Sequence, residues 1–280
     1  MSEQEKQSIE PYFMYGTAWK EEDTARLTRL ALESGFRAID TANQRKHYHE
    51  AGVGEALSAA FADGLVSRQD LFLQTKFTYV AGQDHRLPYD REAPFAEQVR
   101  QSFASSLEHL GLSKLDSYIL HGPSTRVGLG EADRQVWSTM EALLAEERVN
   151  AIGVSNVTAE QLRELIGIAE HVPSFVQNRC FARAGWDRDV RAICREYDIT
   201  YQGFSLLTAN VRELRSAQVV AIAERHEKTI PQVLFRFAMQ VGMLPLTGTT
   251  SEEHMKEDLA CTEFDLEESE IRTVEEIALG

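Results

Sequence analysis

Successive short apolar runs in this chain end on residues that hold charge or exchange protons. Asp40 closes FRAID, Lys76 closes LFLQTK and His121 closes LDSYILH; Ser155 and Asn156 end AIGVSN, and Gln177 ends PSFVQ. Thr17 ends YFMYGT, Phe204 and Ser205 end ITYQGFS, and Thr249 follows GMLPL. A lysine buried near a carboxylate keeps its charge, and a cation beside a phenol favours phenolate and lowers its pKa. Tyr48, in the loop after Asp40, is the tyrosine within reach of such a lysine. The chemistry this set allows is a phenol that gives or takes a proton at a carbonyl oxygen, with neutral His121 orienting that oxygen. Taken singly, Asp40 and Lys76 also read as a structural ion pair, and His121 as a satisfied core histidine. Their order and company favour catalysis.

Neighbouring residues invite other chemistries. His47 and His49 form an H-x-H pair, but no carboxylate and histidine set completes a ligand sphere, so no metal is expected. Lys76 in a Schiff base would be poorly served by Asp40, because a lysine held charged is a weak nucleophile. GVGEAL at 52–57 resembles the opening of a dinucleotide fingerprint but has Leu57 in the third glycine's place. It reads instead as a tight turn at a helix start, without a cofactor contact.

The elements that must position these residues alternate. Strand candidates are YFMYGT (12–17), FRAID (36–40), LFLQTK (71–76), LDSYILH (115–121), AIGVS (151–155), PSFVQ (173–177), ITYQGFS (199–205) and GMLPL (242–246), each followed by a segment of helical period. In EEDTARLTRLALESG, Leu27, Leu30, Ala31 and Ser34 share a face and Gly35 makes a natural stop. Strands alternating with helices are parallel and buried on both faces, and eight such units close into an α/β fold of the (β/α)8 TIM-barrel type. A doubly wound open sheet is the runner-up, but it would usually carry a glycine-rich loop after its first strand, and GTAWK is not one. Barrel sites sit at the C-terminal ends of the strands. The irregular stretches 77–93, 122–130 and 205–214 all follow strands and would share that face.

One domain spanning 1–280 is expected, with 1–10 as a flexible N-terminus. A formal charge of −15 and 43% hydrophobic residues describe an ordinary acidic globular chain with no basic footprint for nucleic acid or membrane. MSEQEKQSIE lacks the apolar region of a signal peptide, and no run approaches the ~18 apolar residues of a membrane span, so a cytoplasmic protein follows. Cys180, Cys194 and Cys261 are odd in number and widely spaced, which fits reduced, buried thiols.

YGTAWK, GFRAIDTA, GVGEAL, LFLQTK, LDSYILHGP, IGVSN, VQN, YQGFS and GTTSEEHMKEDL form a colinear set that resembles the aldo-keto reductases over essentially the whole length. The resemblance implies a TIM barrel binding an extended nicotinamide cofactor without a Rossmann motif. It also implies reduction of aldehydes or ketones by hydride transfer, through a tetrad of Asp40, Tyr48, Lys76 and His121 with Tyr48 as proton donor. Thr17 is implied as a cofactor contact, Ser155, Asn156 and Gln177 match the positions that bind the carboxamide, and Phe204 matches the ring that stacks on the nicotinamide. Ser205 and Leu207 match pyrophosphate contacts, and Thr249, His254, Glu257 and Asp258 hold the adenosine end. A small-molecule carbonyl is the implied substrate, handled by a monomer or weak homo-oligomer.

The chain departs from the family pattern in three places. Counting back from GVGEAL without a gap puts His47 on the tyrosine position, although Tyr48 is the phenol the chemistry uses. Gly248 and His254 stand where relatives that grip the 2′-phosphate carry cations, and Asp258 replaces an adenine-contacting asparagine; NADP(H) is the first expectation and NAD(H) the alternative. The chain ends at Gly280 without the long loop that narrows the pocket in some relatives. Trp19, Phe77, Tyr79, Phe181 and Trp186 are then the apolar candidates for an open pocket accepting several carbonyls. A regulatory or sensor protein that binds the cofactor with little turnover is the rival reading.

Overall fold

The computed structural model describes residues 11–278, so the expected flexible segment 1–10 lies outside the described residues. The elements run β1 (Met14–Gly16), α1 (Thr24–Ser34), β2 (Ala38–Asp40), α2 (Glu50–Ala62), β3 (Phe72–Phe77), α3 (Phe95–Leu110), β4 (Leu115–Leu120), α4 (Glu131–Ala145), β5 (Val149–Ser155) and α5 (Ala159–Ile168). They continue β6 (Phe175–Arg179), α6 (Arg188–Glu196), β7 (Thr200–Phe204), α7 (Val211–Leu214), α8 (Ala217–His226), α9 (Ile230–Gln240), β8 (Met243–Thr247), α10 (Glu252–Leu259) and α11 (Glu268–Glu275). The eight strands are parallel and in sequence order, and β1 closes on β8 through Met14↔Leu246 and Tyr15↔Thr247. Each expected strand is present, displaced by a residue or two at its ends.

The two-residue period of a strand sorts the side chains. Met14, Ala38, Phe72, Ile119, Phe175, Leu244 and Leu246 form a small apolar cluster inside the barrel. A much larger core packs outward-facing strand residues such as Tyr15, Ile39 and Leu73 against the helices. Two residues along from Ala38, Phe72 and Phe175 come Asp40, Gln74 and Gln177, so the interior turns polar toward the C-terminal ends of the strands. Registers Asp40↔Gln74 and Gln177↔Gln202 set these four side chains at one level.

Helix α1 buries Leu27, Thr28, Ala31 and Leu32 and ends where Gly35 takes φ +113°, its N–H donating to the Ala31 and Leu32 carbonyls. GVGEAL is not a turn at a helix start: it lies inside α2, which begins at Glu50. Its glycines let helices approach closely, since a Cβ on Gly54 would fall 1.9 Å from the His109 carbonyl oxygen of α3. The 205–214 stretch, read as irregular, contains α7, and three helices rather than one separate β7 from β8. No described helix is long and apolar enough to cross a membrane.

Candidate active site

A cavity of about 1440 Å³ opens at the C-terminal ends of the strands. Its wall draws on all three loops expected there, through Thr78–Gly82, Gly122–Ser124 and Ser205–Thr208. Asp40, Tyr48 and His121 line it, and Lys76 lies fully buried behind them. Lys76 Nζ donates to Asp40 Oδ1 at 2.7 Å, Asp40 Oδ2 at 2.6 Å and the Thr41 carbonyl at 2.7 Å. It stands 5.3 Å from the centroid of the Tyr48 ring, whose other neighbour is His121 at 5.9 Å between centroids. Burial lowers the Lys76 pKa, and the Asp40 carboxylate opposes that shift.

The expected depression of the Tyr48 pKa is not what the structure gives. Burial first, and then the Asp40 carboxylate, push the phenol well above its ordinary value. Lys76, 5.3 Å from the ring centroid, does not reverse this, because the Asp40 carboxylate paired with it acts on the phenol with the opposite sign. Tyr48 is therefore a protonated phenol, and among the described residues nothing hydrogen-bonds its hydroxyl. His121 is neutral: burial, Lys76 and His47 push its pKa down to about 3. Its Nδ1 lies 2.7 Å from Thr78 Oγ1.

His47, the other claimant to the acid position, also lines the cavity but keeps different company. Its ring packs against Trp19, tilted by 37° with centroids 4.0 Å apart, and Nδ1 donates to Gln44 Oε1 at 2.9 Å. That direction is fixed because the Gln44 amide nitrogen already donates to the Gly82 carbonyl. Burial and Lys46 lower its pKa.

A belt of amides lies under Asp40. Gln74 Nε2 donates to Asp40 Oδ1 at 2.7 Å and Gln202 Oε1 at 2.8 Å, while Gln202 Nε2 donates back to Gln74 Oε1 at 3.0 Å. Gln177 Nε2 donates to Asp40 Oδ1 at 3.0 Å and Gln202 Oε1 at 2.9 Å. Reversing the Gln177 amide would point its oxygen at a carboxylate, so Oε1 is the atom left for the cavity. Beside it, Ser155 Oγ donates to the Gln177 carbonyl and accepts from Asn156 Nδ2, which also donates to the His121 carbonyl. Asn156 at φ +56° and Ser205 at φ +55° take left-handed backbone at the ends of β5 and β7, a conformation residues other than glycine adopt at a cost.

Of the remaining expected contacts, Phe204, Ser205, Leu207 and Thr249 line the cavity, as do Trp19 and Tyr79. Trp19 is 69% exposed at the rim. Tyr79 is held by its hydroxyl on Asp133 Oδ1 at 2.8 Å. Phe77, Phe181 and Trp186 are not in the wall. Phe77 alternates with inward-facing Lys76 and so packs outward against Tyr79 and Tyr89. Phe181 sits under the guanidinium groups of Arg179 and Arg183. Trp186 is fully buried, donating to the Val274 carbonyl and packing on Phe237.

Thr17 is likewise outside the wall: its N–H and hydroxyl both donate to the Asp40 carbonyl, clamping β1 to β2. His254, Glu257 and Asp258 lie on α10, which follows the lining turn Gly248–Thr250. His254 is exposed, whereas the Asp258 carboxylate is buried, accepts from Thr247 Oγ1 at 2.7 Å and has its pKa pushed up to about 6 by burial.

The sequence reading missed Lys20, Thr78, Gln74 and Gln202. Lys20 lines the cavity, is 7% exposed and has no carboxylate partner among the described residues. Its ammonium donates to the Gly248 carbonyl at 2.6 Å, and burial lowers its pKa to about 8. A buried cation thus stands against position 248. For the two glutamines a signal existed: each lies two residues before an expected site residue, Lys76 or Phe204, and so on the same strand face.

The barrel thus gathers a buried lysine–carboxylate pair, a phenol and an imidazole around one cavity. The chain belongs to the aldo/keto reductase family, whose model matches residues 12–279. It is 30% identical over 268 residues to an uncharacterized oxidoreductase, YtbE, of Bacillus subtilis (strain 168), covering 95% of this chain and 88% of that protein. It is 27% identical to the glyoxal reductase of the same organism, covering 88% and 80% of the two chains. Among solved structures, an aldo/keto reductase from Brucella melitensis superposes with a TM-score of 0.80 at 25% identity, covering 95% of each chain. Members of the family are in general oxidoreductases that use nicotinamide cofactors.

Proposed function

We propose that this protein reduces aldehydes or ketones to alcohols with NADP(H), Tyr48 giving the proton. The observation that carries this reading is the meeting of Tyr48, His121 and the Lys76–Asp40 pair at one cavity. When bound, the cofactor supplies a hydride to the carbonyl carbon. Tyr48 is protonated at every ordinary pH, the state a donor to the forming alkoxide needs. Neutral His121 orients the carbonyl oxygen, and Lys76, anchored by Asp40, presents its positive charge beside the phenol as that proton leaves.

The residues present fit a nicotinamide dinucleotide. Gln177 Oε1 is left as an acceptor for a carboxamide N–H, beside Ser155 and Asn156, and Phe204 offers a ring at the wall. Lys20 is a buried cation without an acidic partner among the described residues, suited to a phosphate of either dinucleotide; the preference for NADP(H) over NAD(H) follows the family's habit, against the missing cations at 248 and 254. Thr249 at the wall, with His254 and Glu257 on the adjoining α10, would serve the adenosine end, whereas the buried Asp258 carboxylate is taken up by Thr247 Oγ1. With Trp19 and Tyr79 the aromatic wall residues of those expected, the pocket suits a range of small carbonyls rather than one. A net charge of −15 supports a monomer or weak homo-oligomer; a cytoplasmic location rests on MSEQEKQSIE lacking an apolar region.

The test is steady-state oxidation of NADPH and NADH with a panel of aldehydes and ketones, comparing wild type with Tyr48→Phe and Lys20→Met. Turnover should collapse in Tyr48→Phe while cofactor still binds, and Lys20→Met should raise the KM for NADPH. Unchanged turnover in Tyr48→Phe would move the acid to His47 or elsewhere. Tight cofactor binding without turnover in wild type would favour a regulatory protein.

A further inference from the structure

We propose that Thr78 is a positioning residue that donates its hydroxyl hydrogen to His121 Nδ1 and thereby places the imidazole proton on Nε2. The inference rests on His121 facing the substrate carbonyl, as in the function proposed above. Thr78 Oγ1 and His121 Nδ1 are 2.7 Å apart, and among the described residues neither atom has another partner. Two arrangements fill that contact. In one, Nδ1–H donates to the hydroxyl oxygen, which leaves the hydroxyl hydrogen without a protein acceptor among the described residues, in a residue only 6% exposed. In the other, the hydroxyl donates to the Nδ1 lone pair, and both atoms are satisfied. The second is favoured, and a neutral imidazole then has its single proton at Nε2.

Both partners are held so that the contact persists. The His121 peptide is tied at both ends, its N–H donating to the Phe77 carbonyl at 2.9 Å and its carbonyl accepting from Asn156 at 2.8 Å. The Thr78 carbonyl accepts from the Tyr89 hydroxyl at 2.6 Å. Its methyl packs against Gly82, where a Cβ would come within 2.7 Å. A β-branched side chain so placed is restricted at χ1. Consequently His121 offers the substrate oxygen a hydrogen-bond donor rather than a lone pair, a choice that the imidazole alone would leave open.

The tautomer is read directly, in the absence of substrate, by long-range 1H–15N correlation on protein labelled at histidine. Wild type should show His121 with protonated Nε2 and unprotonated Nδ1. Thr78→Val, which keeps the shape and removes the donor, should populate the Nδ1–H tautomer. It should also lower kcat/KM for an aldehyde about tenfold, the kinetic equivalent of one neutral hydrogen bond. Thr78→Ser should restore both the spectrum and the rate. A wild-type spectrum with the proton on Nδ1 overturns the inference, even if Thr78→Val does not fold. So does a Thr78→Val spectrum identical to wild type. Should the tautomer shift as described while no protein turns over any carbonyl, the positioning role of Thr78 stands and the reductase reading falls.

Discussion

Replacing Lys76 with methionine removes a fully buried ammonium and leaves the Asp40 carboxylate, itself 3% exposed, without its counter-charge. Removing one partner of a buried pair costs about 3–5 kcal/mol, because the remaining charge is neither solvated nor paired. Gln74 and Gln177 still donate to Asp40, so the lower end applies, and about 3 kcal/mol is expected for Lys76→Met. Asp40→Asn strands the ammonium instead, with the Thr41 carbonyl as its remaining full acceptor, and should cost a similar amount. In the double variant neither charge remains, so its cost should fall short of the sum of the single costs by about 2 kcal/mol or more. Urea denaturation of the four proteins, followed by far-ultraviolet circular dichroism at constant pH, measures this cycle. Additive single costs, with coupling below about 0.5 kcal/mol, would refute the account of Asp40 and Lys76 as one electrostatic unit.

Asp258 carries the opposite sign: burial raises its folded pKa to about 6 from an unfolded value near 3.8, so the native state binds more protons between these values. Its contribution to stability therefore falls as pH rises from about 4 to 6, and Asp258→Asn, which can still accept from Thr247, should be stabilised above pH 6 by up to about 3 kcal/mol. That advantage should vanish below pH 4, and a pH-independent difference in Tm would contradict the assignment. Gly54→Ala forces α2 away from the His109 carbonyl and should destabilise by about 1–3 kcal/mol, whereas Gly64→Ala, with open space around its Cβ position, serves as a control limited to its backbone cost. Gln202→Leu leaves donors of Gln74 and Gln177 without their shared acceptor, a loss of about 2 kcal/mol. It should also weaken cofactor binding by freeing the Gln177 amide, and unchanged cofactor affinity by fluorescence titration would argue against the belt as a positioning device.

The alternation of apolar runs and helical periods was enough to determine the barrel from sequence, because eight parallel strands buried on both faces have few ways to close. Asp40, Lys76 and His121 were legible as a set for the same reason: they end consecutive strands, and a barrel gathers such ends on one face. Tyr48 was preferred to His47 on chemistry alone, since both lie in one loop; that one lies beside Trp19 and the other beside Lys76 and His121 is set only by folding. Phe77 and Trp186 show the same limit. Their aromatic character suited a pocket wall, but strand alternation turned Phe77 outward and packing against Phe237 and Val274 buried Trp186. Lys20 reaches Gly248 across 228 positions of sequence, and Thr78 reaches His121 across 43. Sequence fixes which groups are available at each strand end; which of them touch, and in which state of protonation, is decided by the burial and hydrogen-bond satisfaction that only the closed barrel imposes.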